Sequence, residues 1–457
     1  MKVLLMLLCC LPLFAQESIQ SSTLEELKAS FQPDASTKAK MNILLQHEFS
    51  AIGLDQEIIR THNNDYRHEI PTGSITNQKS TGRCWIYAMI NILRPLVIKK
   101  FDMDNFELSE NYLAFYDKLE KANIFLEEAI ARAGDDIRAE NFQKILRTPL
   151  PDGGYWQMAV DLIKKYGCVP IQAMPEVASN QSSREMNNNI NWLLRSYAYE
   201  IFIMKQEGKT IEELRKQKHE YLKTVYRMLC FHLGIPVENF IFRYTKKTDK
   251  QLTEYKEYTP KTFYNEFIEP EIHNFMMFAN WPAREYNKYY QVESTKNVIE
   301  GTFLNFVNLP MDQIKQMMFE SIIDNMPVNF SSDVDQESNR INGIMKPRLY
   351  LFEDFYGVPF PRDKKINSVV GNVNSTHAMA ILGVDWIENN DKKTIIKWKV
   401  ENSWGEDRGN KGIFAMYDDW ADEYAVRVVL HKKYIPDHVW KLQEQIPIMI
   451  PDTEPEQ

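Results

Sequence analysis

With 457 residues, 44% of them hydrophobic and 26% charged, the chain has ordinary globular composition and more material than one small core needs, which excludes a mainly disordered or collagen-like protein. Its formal charge of −9 at pH 7 leaves no excess of cations to neutralise a phosphate backbone, so nucleic acid is excluded as the main partner. The one cationic cluster, Lys246, Lys247 and Lys250, lies in a polar stretch and reads as a solvated connector.

In chain order, residues 1–14 are apolar after Lys2 and lead to the small residue Ala15, so residues 1–15 read as an export signal and the protein is expected to be periplasmic or extracellular. The run is too short to span a bilayer, which takes about 20 apolar residues, and no other stretch is a transmembrane candidate. Beyond it stand Cys84, Cys168 and Cys230, an odd number at wide spacing with no CxxC, which fits neither a disulfide framework nor a zinc site. No metal and no cofactor are expected, and a Cys168–Cys230 pair stays open beside two buried thiols.

Residues 16–66 read as a helical extension, amphipathic over 24–49 with a break at Pro33 and Asp34. A turn-rich loop then leads to Cys84-Trp-Ile-Tyr-Ala-Met-Ile-Asn-Ile-Leu-Arg, apolar nearly all round, which predicts a buried helix ending at Pro95 with Cys84 at its N-terminus. Asp152-Gly-Gly-Tyr-Trp predicts a glycine turn feeding an amphipathic helix that Gly167 caps. Residues 179–258 are long, polar and helix-forming, including Asn187-Asn-Asn, and read as an inserted helical subdomain. From 259 the texture changes to strands, around Val328, Ala378–Val384, Ile395–Val400 and Val426–Leu430. The expected architecture is α+β: a helical lobe over 67–178, the insertion, a β-rich lobe over 259–440 and a tail over 441–457.

A thiol attacks a carbonyl well only as thiolate, which a helix N-terminus and a neighbouring imidazolium stabilise. Cys84 has the first of these from its local sequence. Its backbone N–H and the side-chain amide of Gln78 on the preceding loop supply the two donors that an oxyanion hole pairs. At the far end of the chain His377 opens an apolar strand and Asn402 follows another, and a base needs its second ring nitrogen held by a third group such as an amide oxygen. Trp404 is placed to shield that hydrogen bond from water. Taken singly, Cys84 reads as core, His377 as a structural histidine and Asn402 as a turn residue; their conjunction with Gln78 overrides these readings.

Gln78-Lys-Ser-Thr-Gly-Arg-Cys-Trp, Thr376-His-Ala-Met and Glu401-Asn-Ser-Trp-Gly resemble the nucleophile, histidine and asparagine motifs of papain-like cysteine peptidases. Thr81 stands where papain itself has a second cysteine, and His377 lies far beyond the ~130–150 residues that separate nucleophile and histidine there. Both departures point to the bleomycin hydrolase and aminopeptidase C branch, which Gly153-Gly-Tyr-Trp-Gln-Met, Lys165-Tyr-Gly-Cys-Val-Pro and Asp422-Glu-Tyr-Ala-Val also resemble. The resemblance implies a two-lobed papain-like fold with a helical insertion and a thiol aminopeptidase acting on peptides. It also implies a hexameric ring, a cytoplasmic location at odds with the export signal, and Gly153, Gly154 and Trp404 as the substrate-binding set beside Cys84, His377, Asn402 and Gln78. The chain departs from the branch at Ser331-Ser-Asp-Val-Asp-Gln. It departs again in its acidic tail, where Asp452, Glu454, Glu456 and the carboxylate of Gln457 stand in for a tail that binds the substrate's α-ammonium. The competing expectations are an endopeptidase with a cleft open at both ends and a non-catalytic, ring-forming binding protein.

Overall fold

The computed structural model describes residues 17–451 apart from positions 72, 270, 294 and 391. The expected export signal and the four acidic groups of the tail, on Asp452, Glu454, Glu456 and Gln457, lie outside the described residues. Two compact units are present, one of them built from the described residues up to Asp55 together with Tyr350–Val358. In it the helices Ser21–Ser30 and Ala35–Leu44 are separated at Pro33 and Asp34, and the Asp34 carboxylate caps the second by accepting the Thr37 N–H at 2.7 Å. Phe49 stacks on Phe352 with ring centroids 4.5 Å apart.

The larger unit comprises Gln56–Leu349 and the described residues from Pro359 onward. Its helix Cys84–Phe101 is buried along most of its length, as its all-round apolar sequence predicts. It does not end at Pro95, which sits inside it. Proline removes one backbone donor from a helix, but here side-chain packing on nearly every face holds the next turn in place. Arg94, just before the proline, is itself buried and donates to Glu401 at 2.7 Å and to the Ser74 carbonyl at 2.8 Å. This pair ties the helix that Cys84 opens to the strand that ends beside Asn402. Removing one partner of such a fully buried pair typically costs about 3–5 kcal/mol.

Helix Glu110–Arg132 packs on the helix that Cys84 opens, and the insertion supplies Arg184–Gln206 and Ile211–Leu233, both packed against Glu110–Arg132. Thr210 and Glu213 close a capping box at the start of the second. Helix Trp156–Tyr166 stops at Gly167, whose φ of 78° suits a residue without a Cβ.

The described residues carry one twelve-stranded mixed sheet. At its centre His377–Asn389 lies between Val328–Ser332 and Lys392–Glu401, antiparallel to both, with Ala425–His431 beyond the first and Ile413–Tyr417 beyond the second. His377 opens its strand opposite Ser332, and Glu401 closes the neighbouring strand opposite Ala380, so histidine and asparagine come together at one end of the pair. At the far edge Ile448–Ile450 pairs in parallel with Lys288–Val292. Cys168 and Cys230 are free thiols, the first fully buried. No described helix is long and apolar enough to cross a membrane.

Candidate active site

Cys84 is the first residue of its helix and lines a cavity of about 1180 Å³. His377, Ala378, Gly153 and Gly154 line the same cavity. Burial pushes the Cys84 thiol above its ordinary range. The backbone N–H of Ala378, on the strand that His377 opens, acts the other way, as do those of Trp85 and Cys84 at the helix start, while the nearby Asp152 carboxylate adds to the effect of burial.

His377 is buried, and burial lowers its pKa to about 4 against the hydrogen bond to Asn402, which favours the charged form; Arg340 lowers it further. Its Nε2 lies 2.8 Å from the Asn402 Oδ1. An amide oxygen only accepts, so Nε2 carries the hydrogen and Nδ1 is the nitrogen left to take a proton. Taken singly, then, thiol and imidazole are both held neutral. A proton passing from one to the other creates an ion pair without changing the net charge of the site.

Asn402 is wholly buried, and its N–H donates to the Gly412 carbonyl at 3.1 Å. Trp404 does not line the cavity; its indole stacks on the His377 ring at 4.7 Å and 25°, while the Arg340 guanidinium sits over it at 4.5 Å. Gln78 is likewise not a lining residue of the cavity. Its amide nitrogen donates to the Thr81 carbonyl at 2.6 Å, its side-chain oxygen accepts from the Ser403 hydroxyl at 2.7 Å, and its backbone N–H donates to the Ser403 carbonyl at 2.8 Å. The loop before Cys84 is thereby tied to the loop that holds Asn402. One of the two amide hydrogens of Gln78 remains beyond the Thr81 bond.

The two glycines differ. A Cβ on Gly154 would lie 2.6 Å from the Trp85 ring, so its lack of a side chain serves packing against the residue after Cys84. A Cβ on Gly153 would meet nothing within 4 Å, and its carbonyl already accepts from Lys121 Nζ at 2.7 Å. Ser331, at the departure noted above, lines the cavity and accepts a hydrogen bond from Ser375 at 2.8 Å. Sequence reasoning missed Lys121, Arg340 and Ser403. Only Ser403 had a signal, its place next to Asn402; the other two stand in polar stretches with nothing local to mark them.

The α+β fold is papain-like, and the protein is a cysteine peptidase. The chain belongs to the peptidase C1-like family, whose model matches residues 18–455. It is similar to aminopeptidase C of Lactobacillus delbrueckii subsp. lactis, at 35% identity over 82% of this chain and 83% of that protein. It is also similar to bleomycin hydrolase of Mus musculus, at 33% over 96% and 98%. The crystal structure of PepW from Lactobacillus rhamnosis HN001 superposes with a TM-score of 0.89 at 32% identity, covering 96% of this chain and 98% of the other.

Proposed function

We propose that this protein is an aminopeptidase that hydrolyses peptide bonds through Cys84, His377 and Asn402, with Gln78 as side-chain donor to the oxyanion. The observation that carries the reading is the His377–Asn402 hydrogen bond at 2.8 Å, at the wall of a cavity that Cys84 shares. In the mechanism, His377 Nδ1 takes the thiol proton as Cys84 Sγ attacks the carbonyl carbon, and returns it to the leaving amine as the C–N bond breaks. The resulting thioester is hydrolysed by water activated by the same nitrogen. Asn402 keeps the imidazole oriented without adding a charge, and Trp404 covers the ring.

The remaining amide hydrogen of Gln78 and the Cys84 N–H serve the oxyanion. Gln78→Ala is expected to lower kcat about 10²-fold with little change in KM, because such a donor acts mainly on charge that develops in the transition state. Steady-state kinetics on one peptide substrate decide this; a variant that lost affinity alone would assign Gln78 to ground-state binding.

Selection of free amino termini needs a carboxylate where the substrate's α-ammonium arrives. Met449 and Glu293 line the cavity, and the Glu293 N–H donates to the Ile450 carbonyl at 3.0 Å, so the chain reaches the cavity wall just before its acidic tail. The carboxylates of Asp452, Glu454, Glu456 and the terminus at Gln457 follow directly in the chain, and one of them is proposed to receive the α-ammonium. The test compares a peptide with its N-acetylated twin, in the whole protein and after deletion of residues 452–457. The free amine should be cleaved far faster by the whole protein, and the deletion should shrink that preference. Equal cleavage of both peptides by the whole protein would make it an endopeptidase instead. Export and assembly as a hexamer remain part of the same proposal, tested by cell fractionation and by light scattering in solution.

A further inference from the structure

Asp152 immediately precedes the glycine pair that lines the cavity, and Gly82 lies two residues before Cys84, which lines it too. One carboxylate joins the two. Its Oδ2 accepts the Gly82 N–H at 2.7 Å and the Ser183 hydroxyl at 2.5 Å, and its Oδ1 accepts Lys118 Nζ at 2.7 Å. Lys118 is buried and also donates to the Pro151 carbonyl at 3.1 Å. The approach is close enough that a Cβ on Gly82 would stand 2.8 Å from the Asp152 Cβ, so only glycine fits there. The contact of Gly154 with Trp85 closes the same seam on the other side of the nucleophile. Chain segments flanking Cys84 in both directions are thus stitched to the glycine edge, and the polar half of that seam is Asp152.

From this geometry we propose that Asp152 is a positioning residue for catalysis, setting the distance between the Cys84 nucleophile and the Gly153–Gly154 edge against which substrate lies. It rests on the reading of Cys84 as nucleophile. A side chain with this task must hold its geometry while substrate enters and leaves, and a charge-assisted bond to a buried lysine is suited to that. Burial works against ionisation, but Lys118, the Ser183 hydroxyl and the Gly82 N–H together hold the carboxyl well below the usual range, so it is a carboxylate at neutral pH. The same charge faces the thiol, so Asp152 opposes formation of the Cys84 thiolate while fixing its place. That dual action separates a positioning role from plain packing. A displacement of about 1 Å in a reacting group is enough to cost ~10²-fold in rate.

The experiment uses Asp152→Asn and Asp152→Ala in the whole protein, with thermal unfolding recorded for each. Peptide hydrolysis gives kcat and KM, and the pH dependence of Cys84 alkylation by iodoacetamide, read by mass spectrometry of the Cys84 peptide, reports the thiol directly. Asp152→Ala is expected to lower kcat ~10²-fold. Asp152→Asn, which keeps an acceptor for Gly82, should recover a tenfold or greater part of that loss while moving the alkylation midpoint to lower pH. Losses that follow the unfolded fraction, or an alkylation profile of Asp152→Asn that coincides with the wild type, would overturn the proposal. Alkylation needs no turnover, so this arm can fail while the peptidase reading stands. A wild-type protein that alkylates at Cys84 but cleaves no peptide would remove that reading and this one together.

Discussion

Cys84→Ala is expected to leave a folded protein with less than about a hundredth of the wild-type kcat. The substitution removes the atom that forms the thioester, while the oxyanion donors and the base alone supply only a non-covalent route, which in well-studied hydrolases is slower by orders of magnitude. Alanine is the best helix former, and the position is a helix start whose neighbour Trp85 is already anchored on Gly154, so the fold should hold. Circular dichroism and thermal unfolding would verify that, and single-peptide kinetics would give the rate. A variant that retained more than a hundredth of kcat would require another nucleophile.

His377→Ala should cost nearly as much, roughly 10²–10⁴-fold in kcat as for loss of a general base, with Asn402→Ala milder because it disturbs only orientation. The substitution has a second, opposite signature in stability. Burial holds His377 neutral down to about pH 4, whereas in the unfolded chain it protonates near 6.5. Between those values the unfolded state binds more protons than the native state, so the native state loses stability as pH falls through the window, by roughly 2–3 kcal/mol from this residue. Removing the imidazole removes that loss. Urea unfolding of the wild type and His377→Ala at pH 7 and pH 4.5 should therefore show the stability difference between them shifting toward the variant at the lower pH. A difference that does not move would mean that His377 takes up its proton over the same pH range in the native state as in the unfolded chain.

What a sequence displays is local, and the elements divide accordingly. The helix at Cys84 shows as an apolar run without glycine, the turn at Gly153 as a glycine pair before an amphipathic stretch, and the strands at Val328, Ala378, Ile395 and Val426 as β-branched runs between turns. Pro95 misled for the same reason: a local breaker signal was overridden by packing from every side. Contacts between distant residues leave no local trace. Arg94 and Glu401 are 307 positions apart, and nothing beside either suggests a buried pair. Asp152 could be read as a turn residue, but not as the acceptor for Gly82 and Lys118. Gly154 shows how a motif can mislead about purpose: its missing side chain is accounted for by the Trp85 ring before any substrate is considered.

Three free thiols are present among the described residues, at Cys84, Cys168 and Cys230, which allows one direct test of the account. Iodoacetamide is added in limiting amounts, peptidase activity is followed, and each thiol's adduct is quantified by mass spectrometry in the same samples. The account predicts that activity falls in proportion to carbamidomethylation of Cys84, whatever the extent at Cys230, with buried Cys168 reacting last. Full activity in protein fully alkylated at Cys84, or inactivation that follows Cys230 instead, would contradict it.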